Sequence, residues 1–257
     1  MSIGLDSLDT INDYIKSILY PKPNTTKNQI KKLTKISNTQ IFFIHNSLNN
    51  NKTCVCEISP QNNKFSYVLI FSHGNGCDIF TFYPYLKELA DNLENVLIVC
   101  YDYPEYSLST GELNEHTCYQ SLDDVVSFYK KITSNILLVG QSLGTGVVVN
   151  YISNNYWVNP VILISPFKSI PKVITQIELV EYLICKNKYP THEKICKTKC
   201  PIKIFHGIAD QLINVTITSE CRQVFSCHLR EASGYECTHP DFPGTTFQVA
   251  KNNFLVT

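Results

Sequence analysis

The stretch Ile136-Leu137-Leu138-Val139-Gly140-Gln141-Ser142-Leu143-Gly144-Thr145-Gly146 decides the fold. Its four leading apolar residues predict a short strand buried on both faces, as in a parallel sheet. After them comes G-x-S-x-G, between that strand and a helix, the setting of a nucleophile elbow. The turn is so tight that side chains at 140 or 144 would collide with the neighbouring strand and helix. Ser142 is pushed into a strained backbone conformation that presents its hydroxyl. Gly146 adds a second small position for close helix–strand packing. The rival reading is a glycine-rich turn whose serine only caps the helix.

Working outward, apolar runs recur at Tyr67–Ser72, Asn95–Cys100, Val161–Ile164 and Ile202–Phe205. Helical stretches lie between them, among them Phe82–Leu93 and Tyr119–Ile132. Regular alternation of strand and helix predicts an α/β fold, with a mostly parallel central sheet and helices on both faces. Gln40–His45 and Cys54–Ile58 read as two short strands joined by the polar turn Asn46–Lys52. Lys168–Lys199 breaks the alternation and reads as a short helical cap. Its lysines, Lys186, Lys188, Lys194, Lys197 and Lys199, suit a solvated face. The organisation expected is an N-terminal helical and basic arm over 1–38, then one domain over 39–257 with the cap insertion at about 168–199. In the arm, Ile3, Leu8, Ile11, Ile15 and Ile18 fall near helical spacing, and Pro21 and Pro23 end that helix. Lys22–Lys35 holds five lysines and no acid, again a solvated face.

At 257 residues the chain is long enough for a full core. Its 22 basic and 22 acidic residues cancel, which argues against a nucleic-acid partner. No apolar run is long enough for a transmembrane segment. The start lacks the pattern of a secretion signal, so a cytoplasmic, reducing location is expected. The 11 cysteines are odd in number and irregularly spaced, which suits reduced, buried thiols better than a disulfide framework. Cys54 with Cys56, and Cys196 with Cys200, lack zinc half-site spacing, so no metal is expected.

A serine hydroxyl needs a positioned base to act as a nucleophile. On this architecture the order along the chain is serine, acid, histidine. Asp210 follows the strand Ile202–Phe205 in His206-Gly207-Ile208-Ala209-Asp210 and is the candidate acid. Its alternative role is a turn aspartate bonding nearby backbone. His239, in Glu236-Cys237-Thr238-His239-Pro240-Asp241, is the candidate base. His228 heads the expected strand His228–Glu231 and should point elsewhere. Acyl transfer also needs donors for a tetrahedral oxyanion. One is the Leu143 N–H, directly after the serine. The other is the Asn75 N–H in His73-Gly74-Asn75-Gly76, where Gly74 and Gly76 let the backbone turn inward. His73 precedes the serine, the wrong order for a base, so its ring is expected to brace the loop through backbone hydrogen bonds.

From about residue 40 to 250 the chain resembles the α/β-hydrolase superfamily, and within it the cytosolic α/β-hydrolase-domain protein depalmitoylases. The residues that carry this are Phe71-Ser72-His73-Gly74-Asn75-Gly76, Tyr101-Asp102-Tyr103, Ser109-Thr110-Gly111-Glu112, Gly140-Gln141-Ser142-Leu143-Gly144-Thr145, Ile164-Ser165-Pro166-Phe167 and His206-Gly207-Ile208-Ala209-Asp210. The resemblance implies a serine hydrolase without a cofactor, acting on a small acyl ester or thioester or on an acylated protein, with Ser142 and Asp210 in its triad. Three departures stand out. Glu105-Tyr106 replaces the family's Gly-Tyr near the pocket mouth. No cysteine precedes Cys54, so the family's lipidated N-terminal cluster has no counterpart. Tyr235 stands where the family's histidine follows the last strand, and His239 comes four residues later. A longer loop that swings His239 back to Ser142 is the reading taken, since loop insertions cost little. The alternatives are an inactive binding protein on the same scaffold and a peptidase of the same fold. Acyl-chain length and oligomeric state are not legible in the sequence.

Overall fold

The structure, a computed structural model, describes residues 16, 17, 19–46, 49–174, 188–207, 210, 213, 230 and 231. Among the described residues, eight strands form one sheet: β1 (Thr39–His45), β2 (Lys52–Ile58), β3 (Tyr67–Ser72), β4 (Val96–Tyr101), β5 (Ile136–Gln141), β6 (Val161–Ile164), β7 (Ile202–His206) and β8 (Arg230–Glu231). Their order across the sheet is β1-β2-β4-β3-β5-β6-β7-β8. β2 pairs antiparallel with β1 and with β4, and every other pairing is parallel. The described helices are α1 (Lys27–Leu33), α2 (Ile79–Asn92), α3 (Glu115–Tyr129), α4 (Leu143–Asn154), α5 (Ile170–Ile174) and α6 (Thr191–Ile195). The expected α/β architecture is therefore present. α5 and α6 lie within the span read as the cap, whose middle is outside the described residues.

The apolar runs explain why the sheet is covered on both sides. Successive residues of a strand face opposite ways. In β3, Val68 and Ile70 join one core cluster and Leu69 and Phe71 the other. β4 divides likewise, with Leu97, Val99 and Tyr101 on one side and Ile98 and Cys100 on the other. α3 and α4 cover the first face with Leu122, Val125, Val126, Val147 and Val148. α1 and α2 cover the second with Ile30, Leu33, Ile79, Phe82 and Leu86. Each such side chain, fully buried, contributes about 1.5–3 kcal/mol. Cys54 and Cys56 share the second face, as small apolar side chains.

Two helices start earlier than their apolar spacing suggests. α2 begins at Ile79 because the Asp78 carboxylate accepts the Thr81 N–H at 2.8 Å. α3 begins at Glu115 because Asn114 and Thr117 form a reciprocal capping box. The described part of the N-terminal arm (16, 17 and 19–38) is anchored to the domain through buried side chains. Leu19, Tyr20, Ile30 and Leu33 are buried in the two cores, while Lys27, Lys31 and Lys32 of α1 are exposed.

Connectivity places the site. From β3 the chain runs through α2 to β4 on one side, then through α3 to β5 on the other. The strand order reverses at β3, and crevices at such reversals open at the carboxyl ends of the strands. The His73 loop leaves β3 there, and the turn at Ser142 leaves β5 beside it.

Candidate active site

Ser142 has φ 47° and ψ −117°, a left-handed conformation that a residue with a Cβ rarely adopts. The neighbouring glycines explain how the turn closes. A Cβ on Gly144 would lie 2.0 Å from the Ser72 carbonyl oxygen, and one on Gly140 would lie 2.6 Å from the Gly144 oxygen. Such contacts exclude any side chain at either position. An N-cap serine ordinarily has extended backbone and accepts a hydrogen bond from the first turn. Ser142 does neither, and its side chain makes no capping bond. Helix α4 instead opens with the Thr145 N–H and Oγ1 donating to the Ser142 carbonyl, at 2.8 and 2.6 Å. The hydroxyl is therefore left for other work.

The loop after β3 packs against this turn. A Cβ on Gly74 would stand 3.5 Å from the Ser142 Cβ, so the loop backbone passes directly over the serine. Asn75 has its side-chain amide bound at both ends. Its Nδ2 donates to the Leu19 carbonyl at 2.6 Å, and its Oδ1 lies 3.1 Å from the Tyr106 hydroxyl. Leu143, the other candidate donor, is the first residue of α4, where backbone N–H groups lack intrahelical partners.

His73 is fully buried beneath that loop. Its Nδ1 bonds the Gly74 carbonyl at 2.8 Å, its ring packs on Tyr103 at 4.3 Å, and the Tyr103 hydroxyl donates to the His73 carbonyl at 2.9 Å. Burial lowers its pKa to about 4, against the upward pull of the Gly74 carbonyl and of Asp78. Asp102, 3.6 Å from Nε2 and equally buried, is pushed well above the carboxylate range by burial and then by Asp78. Burial thus disfavours the charged form of both partners. Asp102 also accepts the Ile79 N–H at 2.8 Å, tying the start of α2 to the end of β4. These bonds brace the loop.

The acid candidate lies further along the same edge. Gln141, Ile164 and Phe205 stand in register across β5, β6 and β7, so the positions after them line up. The Ser142 N–H donates to the Ile164 carbonyl at 2.9 Å, and the Ser165 N–H donates to the Phe205 carbonyl at 2.8 Å. Two strand spacings, about 10 Å, therefore separate Ser142 from the start of the loop that carries Asp210. Asp210 Oδ1 accepts the Ile213 N–H at 2.9 Å, a turn-type bond, and Oδ2 stands 3.6 Å from His206 Nε2. His206 Nε2 itself donates to the Ile213 carbonyl at 2.6 Å. His239 lies outside the described residues, as does Tyr235.

Glu105 has φ 64°, a left-handed backbone that favours glycine. Its carboxylate meets Lys16 at 2.7 Å, Lys22, and the Leu113 N–H at 2.9 Å. Burial raises its pKa, but these three donors outweigh that and bring it down to about 2. A cavity of about 370 Å³ beside Glu105 is lined by Lys16, Ser17, Tyr20, Pro21, Lys22 and Glu105 itself. The family resemblance marked Glu105 as a departure but gave no sign of its partners. Lys16 is 89 positions away, and the Leu19 contact with Asn75 spans 56, so no local pattern encodes them. Among the described residues no group of acidic, histidine and cysteine side chains has the arrangement of a metal site.

Known proteins place this geometry. The chain is 39% identical over 213 residues to an α/β-hydrolase of Acanthamoeba polyphaga mimivirus, covering 80% of this chain and 79% of that protein. It is 30% identical over 179 residues to α/β-hydrolase domain-containing protein 17C of Homo sapiens, covering 68% of this chain and 53% of that protein. The chain thus spans about half the length of the 17C relatives, with 54% of the Mus musculus protein covered. An esterase of Pyrococcus furiosus superposes with a TM-score of 0.62 at 17% identity, over 83% of this chain and 88% of its own. The esterase Est1E of Butyrivibrio proteoclasticus, bound to ferulic acid, gives 0.62 at 16% identity, over 74% of this chain and 88% of its own. No protein-family model matches the chain. The chain belongs to the α/β-hydrolase superfamily.

Proposed function

We propose that the protein is a serine hydrolase that cleaves esters or thioesters through an acyl-enzyme. The observation that carries this reading is Ser142 held at φ 47° on the strand-to-helix turn with no capping bond. Strain of this kind persists only where the surroundings enforce it, and it collects at functional positions.

In this mechanism His239 takes the proton of the Ser142 hydroxyl as the oxygen attacks the acyl carbonyl. Asp210 orients the imidazole and stabilises its charged form. The Asn75 and Leu143 N–H groups hold the oxyanion. Collapse expels the alcohol or thiol, protonated by His239, and water then releases the acid. For Asp210 to serve, its bond to Ile213 must leave one oxygen for the imidazole, and a carboxylate has capacity for both. No step asks for a cofactor. His73 is not the base, because it is buried and its Nδ1 is committed to Gly74.

The acyl group is proposed to come from a small ester or thioester or from an acylated protein. The esterases among the structural relatives support ester chemistry, and no helix among the described residues is long and apolar enough to cross a membrane. The buried thiols support a reducing, cytoplasmic setting. Burial pushes the Cys118 thiol up to about 12, and those of Cys54, Cys56 and Cys100 also rise. The organisation proposed is an N-terminal helical and basic arm over 1–38 and one hydrolase domain over 39–257, bearing the cap at about 168–199.

A panel of acyl thioesters, p-nitrophenyl esters and peptide amides tests this. Turnover of the esters or thioesters that Ser142→Ala abolishes, with the melting transition retained, is the expected result. Cleavage of the amides alone would make the protein a peptidase. No turnover of any, together with no covalent labelling of Ser142, would leave a binding protein, a reading that the Asp210 turn bond favours.

A further inference from the structure

The stretch made of residues 16, 17 and 19–22 meets the loop after β3 at Asn75 and is fastened at several points. Lys16 and Lys22 both pair with Glu105, and the Tyr20 hydroxyl meets that of Tyr189 at 3.1 Å. Leu19 and Tyr20 are buried. Between these anchors the Leu19 carbonyl takes the Asn75 Nδ2 proton at 2.6 Å, a short bond from the oxyanion loop to the arm. Tyr106, next to Glu105, closes the ring. Its hydroxyl lies 3.1 Å from Asn75 Oδ1 and 3.2 Å from the Pro21 carbonyl.

One turn, 104–106, therefore grips the arm through Glu105 and the oxyanion loop through Tyr106. Each end of the Asn75 amide is held by one of these two parts. The conformation of Glu105 fits such a role. At φ 64° a glycine would be free of strain, yet the chain keeps an acid there, whose carboxylate accepts from two lysines and a backbone N–H. Oxyanion donors stabilise a transition state only when fixed in advance, and displacements of about 1 Å cost about a hundredfold in rate.

We infer that Lys16–Lys22 is a strap that positions the oxyanion loop, with Glu105 as its clasp and the Leu19 carbonyl as its point of contact. The inference rests on the serine-hydrolase reading for its catalytic consequence, but not for the clasp itself. Glu105 and Leu19 are positioning residues, since both act through Asn75.

The test compares the full chain with Glu105→Gln, and with the charge swap Lys16→Glu, Lys22→Glu, Glu105→Lys. Hydrogen exchange at 74–77 reads the clasp without any turnover. Glu105→Gln should speed it about tenfold, and the swap, which regains the ion pairs but not the acceptor for the Leu113 N–H, should slow it again at least about threefold. With an ester substrate, Glu105→Gln should lower kcat about ten- to a hundredfold and leave KM within about twofold. The labelling rate of Ser142 by a fluorophosphonate should fall in parallel, at temperatures well below the melting transition. Salt at 1 M (about a 3 Å screening length) should lower the kcat of the parent but not of Glu105→Gln. A residue that only supports the fold would shift the melting point and leave kcat alone. Unchanged exchange at 74–77 overturns the strap. Faster exchange with unchanged kcat overturns its positioning role. Absence of turnover and labelling in the parent chain sinks the hydrolase reading instead, and exchange then decides the clasp alone.

Discussion

At Ser142 the backbone and the hydroxyl answer to different demands. A φ of 47° with ψ −117° costs about 1–3 kcal/mol for a residue with a Cβ. Ser142→Gly should accordingly be about 1 kcal/mol more stable than Ser142→Ala, read from urea midpoints at equal slope, while both lose turnover. Gly144 admits no such latitude. With the Ser72 carbonyl 2.0 Å from where its Cβ would lie, Gly144→Ala should cost about 3 kcal/mol or more and lower the melting point clearly. The sequence announced these positions because the demand is local: a strand, a one-residue bend and a helix in immediate succession. Glu105 shows the opposite case. Its identity was visibly odd, but its purpose depends on Lys16 and Lys22, and no spacing rule reaches so far along the chain.

At the scale of elements, period-2 burial in β3 and β4 is the physical content of the apolar runs, since residues of both parities need a covered face. That is why the α/β architecture was legible from composition along the chain. Helix starts were less so. Apolar spacing identified Phe82–Leu93, yet α2 runs from Ile79, because Asp78 and not the apolar pattern sets the first turn. Pro84 lies inside that helix and further masks its beginning. Asn114 plays the same part for α3. Asn114→Ala should destabilise the fold by about 1 kcal/mol without altering turnover, as chemical denaturation and an ester assay would show. Leu122, fully buried on α3 against the sheet, should cost about 2–5 kcal/mol as Leu122→Ala.

Across the whole molecule, the described part of the arm joins both cores and the Asn75 loop, so charge at Glu105 should be felt in global stability. Its carboxyl, brought down from 4.5 to about 2, contributes stability that is complete above the unfolded value and is lost as pH falls from about 4.5 toward 2. The full shift corresponds to about 3 kcal/mol, and partial exposure reduces this to about 1–2 kcal/mol. Glu105→Gln should therefore be less stable than the parent by that amount at pH 7. The gap should narrow below pH about 4.5, seen in denaturant midpoints measured at several pH values. A constant gap down to pH 3 would mean that the ion pairs are not its source.

The proposed hydrolysis turns on whether His239, which follows Ser142 and Asp210 in the chain order of the fold, is the base for Ser142. The second-order rate of fluorophosphonate labelling at Ser142, compared between the parent chain and His239→Gln, tests this most directly. The parent should label at Ser142, and His239→Gln should label at least about a thousandfold more slowly with its melting transition intact. Equal rates in the two, or a parent that does not label, would contradict it.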